Sequence, residues 1–417
     1  MIRIGIVGCG RILAAHLRGY QLLREAGVDN FRITALSARH EPDAWSYVKR
    51  GVGPQQRQPV GAKAGDPLSA SDIYLSDFQE DVEVQVYTDY REMITAGPVD
   101  AINDLTTHAL HHQVGNVALT SKKHLLTEKP LAITVAAARR MCEQAEAAEV
   151  VLGTLENARN RRDTRQLEWL FRAGDFGSLQ MILMANVGNW WAPDQIVAET
   201  PWRHLRSEGG GITLDIGVHL FNHFRYIGGE VKSIQARAEV LERVRRTRNE
   251  TGMVTNTVEC DADDLVLAAF QTEGGVTGNI TASWCGHGQP TTIGNGRGVA
   301  YYGTEGSVQD EQVIGDDGHR ESLAELYERS CDRKEKERFF PFGLEDAFAL
   351  NQFDWLEAIR LQREPETNGR DGLRDLATAY AALESSVAGR RVEVDEVLSG
   401  SLREYQRPTD EKFGLHE

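Results

Sequence analysis

The chain has 417 residues, 41% of them hydrophobic and 26% charged, the balance of a globular protein long enough for two domains. Its 46 Lys and Arg stand against 62 Asp and Glu, a net charge of −16, which argues against a nucleic-acid partner and against an anionic membrane surface. No apolar run approaches the roughly 18 residues of a membrane span, Met1 runs straight into a strand so no secretory leader is expected, and five scattered cysteines without disulfide or metal spacing suit the reducing cytoplasm.

Ile2 to Val7 is rich in Ile and Val, the pattern of a strand buried on both faces. Gly8-Cys9-Gly10 follows. A helix is predicted from about Ile12 to Glu25, with Leu13, Leu17 and Tyr20 as its apolar stripe and Gly27 as its stop. Strand, G-x-G turn and helix N-terminus together make a dinucleotide pyrophosphate site. The glycines admit the phosphates, and the helix end supplies N–H groups and positive dipole. Leu13 stands where a third glycine is usual. Phe31 to Ser37 is the second strand. Its tip, Ser37-Ala38-Arg39, lacks the acid that meets the ribose of NAD, and Arg39 suits a 2′-phosphate. NAD or NADP is expected, with a lean to NADP. Residues 41–83 hold eight Pro and Gly and exceed a plain connection. They read as an insertion: a flap near the cofactor, an oligomer contact, or a surface loop.

Regular alternation then resumes. Strands are predicted at Val84–Tyr87, Asp100–Leu105, His124–Thr127 and Val150–Gly153, with helices at Asp89–Ala96, His111–Ser121 and Thr134–Glu149. This repetition argues for a doubly wound parallel sheet over residues 1–153. Pro130 stops the strand that begins at His124. Lys129 then sits in an extended segment at the carboxyl end of a strand, the edge where open α/β sheets bind ligands.

Residues 154–417 change character. A helix is predicted from Thr164 to Ala173. Strands follow at Met181–Val187, Val231–Val240, Asp264–Gln271 and Val276–Ser283, with the longer alternation of an open, mainly antiparallel sheet. Between them lies Gly209-Gly210-Gly211, a mobile or closely approached loop. A helix beginning at Ile212 places Asp215 and His219 four residues apart on one face. Helices Leu344–Gln362 and Leu373–Ala388 are predicted near the C-terminus, the second with a stripe of Leu373, Leu376, Tyr380, Leu383 and Val387. The acidic tail after Ser401 reads as solvated.

The turn Gly8-Cys9-Gly10-Arg11-Ile12, the segment Glu128-Lys129-Pro130, and Gly209-Gly210-Gly211 followed by Asp215-x-Gly217-x-His219 resemble the glucose–fructose oxidoreductase / inositol dehydrogenase / MocA family. Trp202-Arg203, Ser283-Trp284 and Gly303-Thr304-Glu305-Gly306 echo it, in the right order, over nearly the whole chain. The resemblance implies an N-terminal Rossmann domain and a C-terminal α/β domain with a large open sheet that often makes oligomer contacts. It also implies a nicotinamide cofactor and a sugar or cyclitol substrate. Lys129, Asp215 and His219 match the catalytic positions. Gly8, Gly10, Arg11, Ile12, Ser37, Arg39, Thr106, Thr107, His108, His111, Glu128 and Lys129 are expected to touch the cofactor. Two departures stand out: Thr106-Thr107 where Thr-Pro is usual, and the 41–83 insertion. A homo-oligomer, dimer or tetramer, is expected.

The residue types suit alcohol oxidation. An imidazole such as His219 is a fitting general base. The Lys129 ammonium can steady a developing alkoxide. Asp215 can orient His219 or bind a second hydroxyl, and a nicotinamide supplies the hydride chemistry. Asn157, Arg159, Trp202, Arg203, Asp215 and His219 are candidate substrate contacts. Trp190, Trp191 and Trp202 suit a sugar ring or a core equally. The arginines suit an anionic group or a solvated cluster. His111 and His112 are adjacent, which is poor metal geometry, and no metal is expected. Three readings result: a sugar or cyclitol dehydrogenase, an NAD-dependent glycosidase using transient oxidation at the same site, and a non-catalytic sensor. Retention of Lys129, Asp215 and His219 together speaks against the sensor. All three site motifs are expected in a cleft between the two domains.

Overall fold

A computed structural model describes residues 1–51, 72–174, 176–188, 191–288, 290–292 and 298–415. They form two compact units.

The first unit comprises Met1–Ile133, Ala137–Asn160 and Phe340–Leu373. Its chain runs β1 (Ile2–Val7), α1 (Leu13–Glu25), β2 (Phe31–Ser37), α2 (Glu41–Val48), β3 (Gln85–Tyr87), α3 (Tyr90–Ala96), β4 (Ala101–Asp104), α4 (His108–Thr120), β5 (His124–Glu128), α5 (Val135–Ala148) and β6 (Leu152–Leu155). The six strands form one parallel sheet in the order β3-β2-β1-β4-β5-β6. This is the doubly wound fold expected. All seven residues of β2 are buried, as expected of a central strand covered by helices on both faces. Leu13, His16, Leu17 and Tyr20 are buried along α1, a helical stripe that includes one histidine. β6 starts two residues later than its apolar pattern suggests, because the Val150 N–H closes α5 on the Ala145 carbonyl and the Val151 N–H donates to His124 Nδ1. α4 begins at His108, three residues early, with Thr107 as its extended N-cap.

Residues 52–71 of the insertion lie outside the described residues. Its flanks are ordered parts of the unit. Gln79 is buried, and its side-chain amide exchanges two hydrogen bonds with the backbone of Ile33, continuing the ladder where β3 is absent. The division expected after residue 153 also differs: Phe340–Leu373 returns to this unit. There Trp355 and Leu356 join the core under β1 and β2, and the Thr154 N–H donates to the Thr367 carbonyl at 2.8 Å.

The second unit comprises Thr134–Ala136, Arg161–Phe339 and Arg374–Glu417. It contains α6 (Arg162–Ala173), β7 (Leu179–Val187), a π-helical turn at Thr213–Gly217 and α7 (Val218–Gly228). β8 (Val231–Glu239), the hairpin of β9 (Val244–Arg248) and β10 (Val254–Glu259), β11 (Leu265–Thr272) and β12 (Thr277–Ser283) come next. β13 (Thr291–Thr292), β14 (Val299–Gly303), β15 (Gly306–Gln309), β16 (Gln312–Gly315), β17 (Arg320–Ser322) and β18 (Val392–Glu393) complete the strands. Ten of them form one sheet, ordered β17-β16-β15-β14-β7-β12-β11-β8-β18, with β13 also on β7. Only β7 and β12 pair in parallel, so the open sheet is mixed and mostly antiparallel, as expected.

α7 lies on the sheet through Phe224, whose ring stacks on Phe270 of β11 at 5.4 Å, and Phe221, three residues before it, which meets the same ring edge-on. The C-terminal helix from Gly369 holds α7 on its other side: Asn222 donates to Asp375 at 2.7 Å, and buried Arg225 pairs with Asp375 and Glu230. Two expectations fail here. Val387, placed in the apolar stripe, is 56% exposed. The tail after Ser401 is packed, not solvated. The buried Glu384 carboxylate accepts the Tyr405 and Gln406 N–H groups, and Thr409, Asp410 and Leu415 are buried.

Asp375→Ala takes one of its two carboxylate partners from the buried Arg225 and leaves it Glu230 alone. The cost should be about 3–5 kcal/mol, read as a lowered urea midpoint; a midpoint equal to wild type refutes this reading of how α7 is held.

Candidate functional site

The dinucleotide turn sits at the switch point of the sheet, where the strand order reverses between β1 and β4. Gly8 has φ +100°, and a Cβ on it would stand 2.8 Å from the Leu105 carbonyl. Only glycine lets the ends of β1 and β4 close up this far. The Gly8 N–H donates to the Ser37 carbonyl at 2.9 Å. Burial, reinforced by Asp43, pushes the Cys9 thiol up to about 12, so the turn carries no thiolate. A Cβ on Gly10 would meet nothing within 4 Å. The Thr106 hydroxyl oxygen, on the loop after β4, is buried with no hydrogen-bond partner among the described residues. An open space over the second glycine and an orphaned polar atom beside it fit a dinucleotide, whose phosphates the turn and the start of α1 would hold.

The carboxyl ends of β4 and β5 are locked by buried polar groups. Asp104 accepts from the Thr106 N–H and the Thr127 hydroxyl, both at 3.0 Å. Burial raises its pKa, against the pull of His111. His111 is buried, with Nδ1 2.7 Å from the Pro130 carbonyl and Nε2 3.1 Å from the Thr106 carbonyl. Its ring clamps the two loops together, with both nitrogens facing protein carbonyls. His108 is also buried, 5.8 Å from the His111 ring. Glu128 pairs with the buried His16 of α1, Oε1 to Nε2 at 2.8 Å, and its Oε2 accepts the Lys129 N–H at 3.3 Å. That carboxylate positions the strand end where cofactor contact was expected. Lys129 follows, half-buried, and the Lys129–Pro130 bond is cis. Ser37 is buried, whereas Arg39 is exposed just beyond β2.

In the second unit Gly210 and Gly211 prove closely approached. Gly211 has φ +109°, and a Cβ there would stand 2.1 Å from Asp263 Oδ1. Asp263 is buried at the entrance to β11. Its Oδ2 accepts from the Thr213 N–H at 3.0 Å and the Thr213 hydroxyl at 2.6 Å, and its carbonyl accepts from Ile212 N–H. Its Oδ1 has no partner among the described residues. The helix expected from Ile212 therefore opens as a π turn, a feature that recurs at functional sites, and this turn carries Asp215. Asp215 is buried and accepts from Arg203 Nε at 2.9 Å. Arg203 also donates to Thr200 Oγ1 and lies 4.3 Å over the Trp202 ring. His219 follows on the first turn of α7, half-buried.

Two arginines expected to meet substrate are engaged internally: Arg203 as just described, and buried Arg159, which donates to the Glu366 carbonyl and pairs with Asp371 at 3.6 Å. Both are thus held in place by protein groups. Asn157 is half-buried after β6, and Trp190 lies outside the described residues. No group of three metal-ligating side chains occurs among the described residues. His16, Asp104 and Asp263 were missed in the sequence. His16 alone left a signal there, as the polar member of the Leu13–Tyr20 stripe.

Burial pushes the Asp263 carboxyl up to about 6, above about 3.9 for an unfolded Asp. The folded state therefore binds more protons between these values, and this group's contribution to stability is lost as pH rises from about 4 to about 6. The stability of wild type relative to Asp263→Asn should fall over that window, by on the order of 2–3 kcal/mol, and level off above it. Urea midpoints of both proteins from pH 4 to 7 measure this; a constant difference refutes it.

Comparison with known proteins agrees with this layout. Residues 2–155 match the model described as oxidoreductase family, NAD-binding Rossmann fold, and residues 164–309 that of the GFO/IDH/MocA C-terminal domain. The chain is 24% identical to myo-inositol 2-dehydrogenase of Thermotoga maritima over 95% of its length and all of that protein. It is 28% identical to 1,5-anhydro-D-fructose reductase of Ensifer adhaerens, over 74% of this chain and 84% of the relative. Levoglucosan dehydrogenase in complex with NADH and L-sorbose has the same fold, with a TM-score of 0.71 at 18% identity, covering 96% of this chain and 100% of that one. An oxidoreductase from Agrobacterium radiobacter, in complex with NAD+, L-tartaric acid and magnesium, gives a TM-score of 0.67 at 18% identity, covering 94% and 98%. With both halves matched in order and the glycine turn, Glu128-Lys129-Pro130 and the Asp215–His219 segment in place, the chain belongs to the Gfo/Idh/MocA family of NAD-binding oxidoreductases.

Proposed function

We propose that the protein is an NAD(P)-dependent dehydrogenase of a sugar, sugar-derivative or cyclitol hydroxyl, with Lys129, Asp215 and His219 as its catalytic group. One observation supports this most: a buried aspartate, fixed by Arg203 on a π turn, stands four residues before a half-buried histidine. A bound nicotinamide supplies the hydride acceptor. His219 takes the proton of the reacting hydroxyl. The Lys129 Nζ steadies the oxygen as it becomes anionic. Asp215 orients His219 or holds a neighbouring hydroxyl. Trp202, Asn157 and His219 are the remaining substrate contacts in this reading. The names of the relatives, which act on cyclitols and anhydro sugars, support the substrate class. Five unpaired cysteines support a reducing compartment, and among the described residues no helix is long and apolar enough to cross a membrane. The uncovered sheet face, where Leu267 and Tyr302 stand exposed, supports a homo-oligomer, to be read from the mass in solution.

Incubation with NAD(P)+ and a panel of cyclitols, sugars and glycosides tests the proposal. NAD(P)H absorbance should rise with a cyclitol or sugar; release of free sugar from a glycoside without that rise would overturn the dehydrogenase in favour of the glycosidase. Lys129→Ala and His219→Ala should each lower kcat roughly 10²- to 10⁴-fold. Both variants should still bind NADH, followed by fluorescence, since neither residue belongs to the glycine turn. Wild-type turnover in either variant would remove that residue from the catalytic group.

The cofactor reading leans to NADP, on the exposed Arg39 and the missing acid at the tip of β2. Arg39→Ala should weaken NADPH by roughly tenfold or more and leave NADH unchanged. Tighter NADH binding by wild type, with no NADPH loss in the variant, would reverse the lean.

A further inference from the structure

The Gly10 carbonyl is held from two directions. It accepts the Leu13 N–H at 3.1 Å, which starts α1, and the Tyr47 hydroxyl at 3.0 Å. Tyr47 is 2% exposed and lies on α2, the first element of the insertion that departs from the family pattern. A phenylalanine would fill the same space. The hydroxyl adds a bond to the glycine turn.

The consequence follows from the planarity of the peptide group. Across a trans peptide, the Gly10 C=O and the Arg11 N–H point in opposite directions. Holding the carbonyl toward α1 and α2 turns the Arg11 N–H the other way. The space beyond the Gly10 Cα is open: among the described residues, chain neighbours aside, no atom lies within 4 Å of a Cβ built there. Phosphate oxygens at a helix N-terminus need N–H groups aimed at them. The neighbouring Cys9 thiol stays neutral, so no anion opposes them. We propose that Tyr47 is a positioning residue for the cofactor: its O–H fixes the Gly10–Arg11 peptide plane so that the Arg11 N–H meets the pyrophosphate. The insertion thereby contributes to the dinucleotide site through its first helix, from beneath the turn.

Tyr47→Phe in the full chain tests this, because the ring and its packing remain. Three ligands are titrated calorimetrically: NADH, ADP-ribose and adenosine. The first two carry the pyrophosphate and should each bind roughly three- to tenfold more weakly, the effect of one hydrogen bond. Adenosine lacks the pyrophosphate and should bind as it does to wild type. The ³¹P resonances of bound NAD+ should also shift between the two proteins. NADH affinity within twofold of wild type, with unmoved ³¹P resonances, would overturn the proposal. So would an equal loss for all three ligands, which would mark general damage to the unit.

Discussion

A carboxylate and an imidazole, 2.8 Å apart and largely shut off from water, hold the dinucleotide-binding unit together. Glu128 ends β5, and His16 sits on the buried side of α1. Neither group can be left unpaired in the interior without a cost of a few kcal/mol. Their pairing therefore dictates how the glycine turn and the Lys129 strand end are spaced. The constraint extends further. Gln352, from the returning segment Phe340–Leu373, donates to the His16 carbonyl at 3.1 Å and faces its Nδ1. Three pieces of chain distant in sequence are thus fixed on one imidazole, and the backbone of Lys129 is fixed with them.

The second unit solves a similar problem differently. Asp215 must be buried and oriented, yet it follows three glycines with little stiffness of their own. Asp263 provides the stiffness. One of its oxygens takes both donors of Thr213, and the other lies where only a glycine at 211 leaves room. The chain is squeezed between this carboxyl and the Arg203 carbonyl, which accepts the Gly211 N–H. The widened turn at Thr213–Gly217 relaxes that squeeze before α7 begins. Strain of this kind is common where a side chain must be aimed.

What the sequence revealed, and what it hid, follows one physical line. β1 and β2 were legible to the residue, since strands covered on both faces are written as mostly apolar runs rich in β-branched residues. The glycine turn, Glu128-Lys129-Pro130 and the triple glycine were legible because backbone geometry demands those residue types. The short strands β13 to β18 were not, because two to five residues carry too little periodicity. The buried polar partners were the main gap. Asp104, Asp263, Arg159 and Tyr47 look like ordinary surface residues in a sequence, and only the fold supplies the partner that permits their burial. For the same reason, the internal bonds of His111 and Arg203 could not be read from the sequence. The packed tail around Tyr405 escaped because its acceptor, Glu384, lies some twenty residues upstream in an otherwise apolar helix face.

The return of Phe340–Leu373 to the first unit sets a rule for how the protein is made. A ribosome releases β1 to β6 early, with most of the second unit still to come. Until the helix Ala347–Leu361 emerges, Trp355 and Leu356 are missing from beneath the sheet, His16 lacks Gln352, and β6 lacks its contact with Thr367. The nucleotide-binding half therefore cannot settle into its final core during synthesis of its own strands. It waits, partly exposed, through the synthesis of β7 to β17, a long-range closure that slows folding and lengthens exposure to misassembly. In a cell this prolongs the need for a chaperone until the helix Ala347–Leu361 has left the exit tunnel, although the strands concerned were the first to be made.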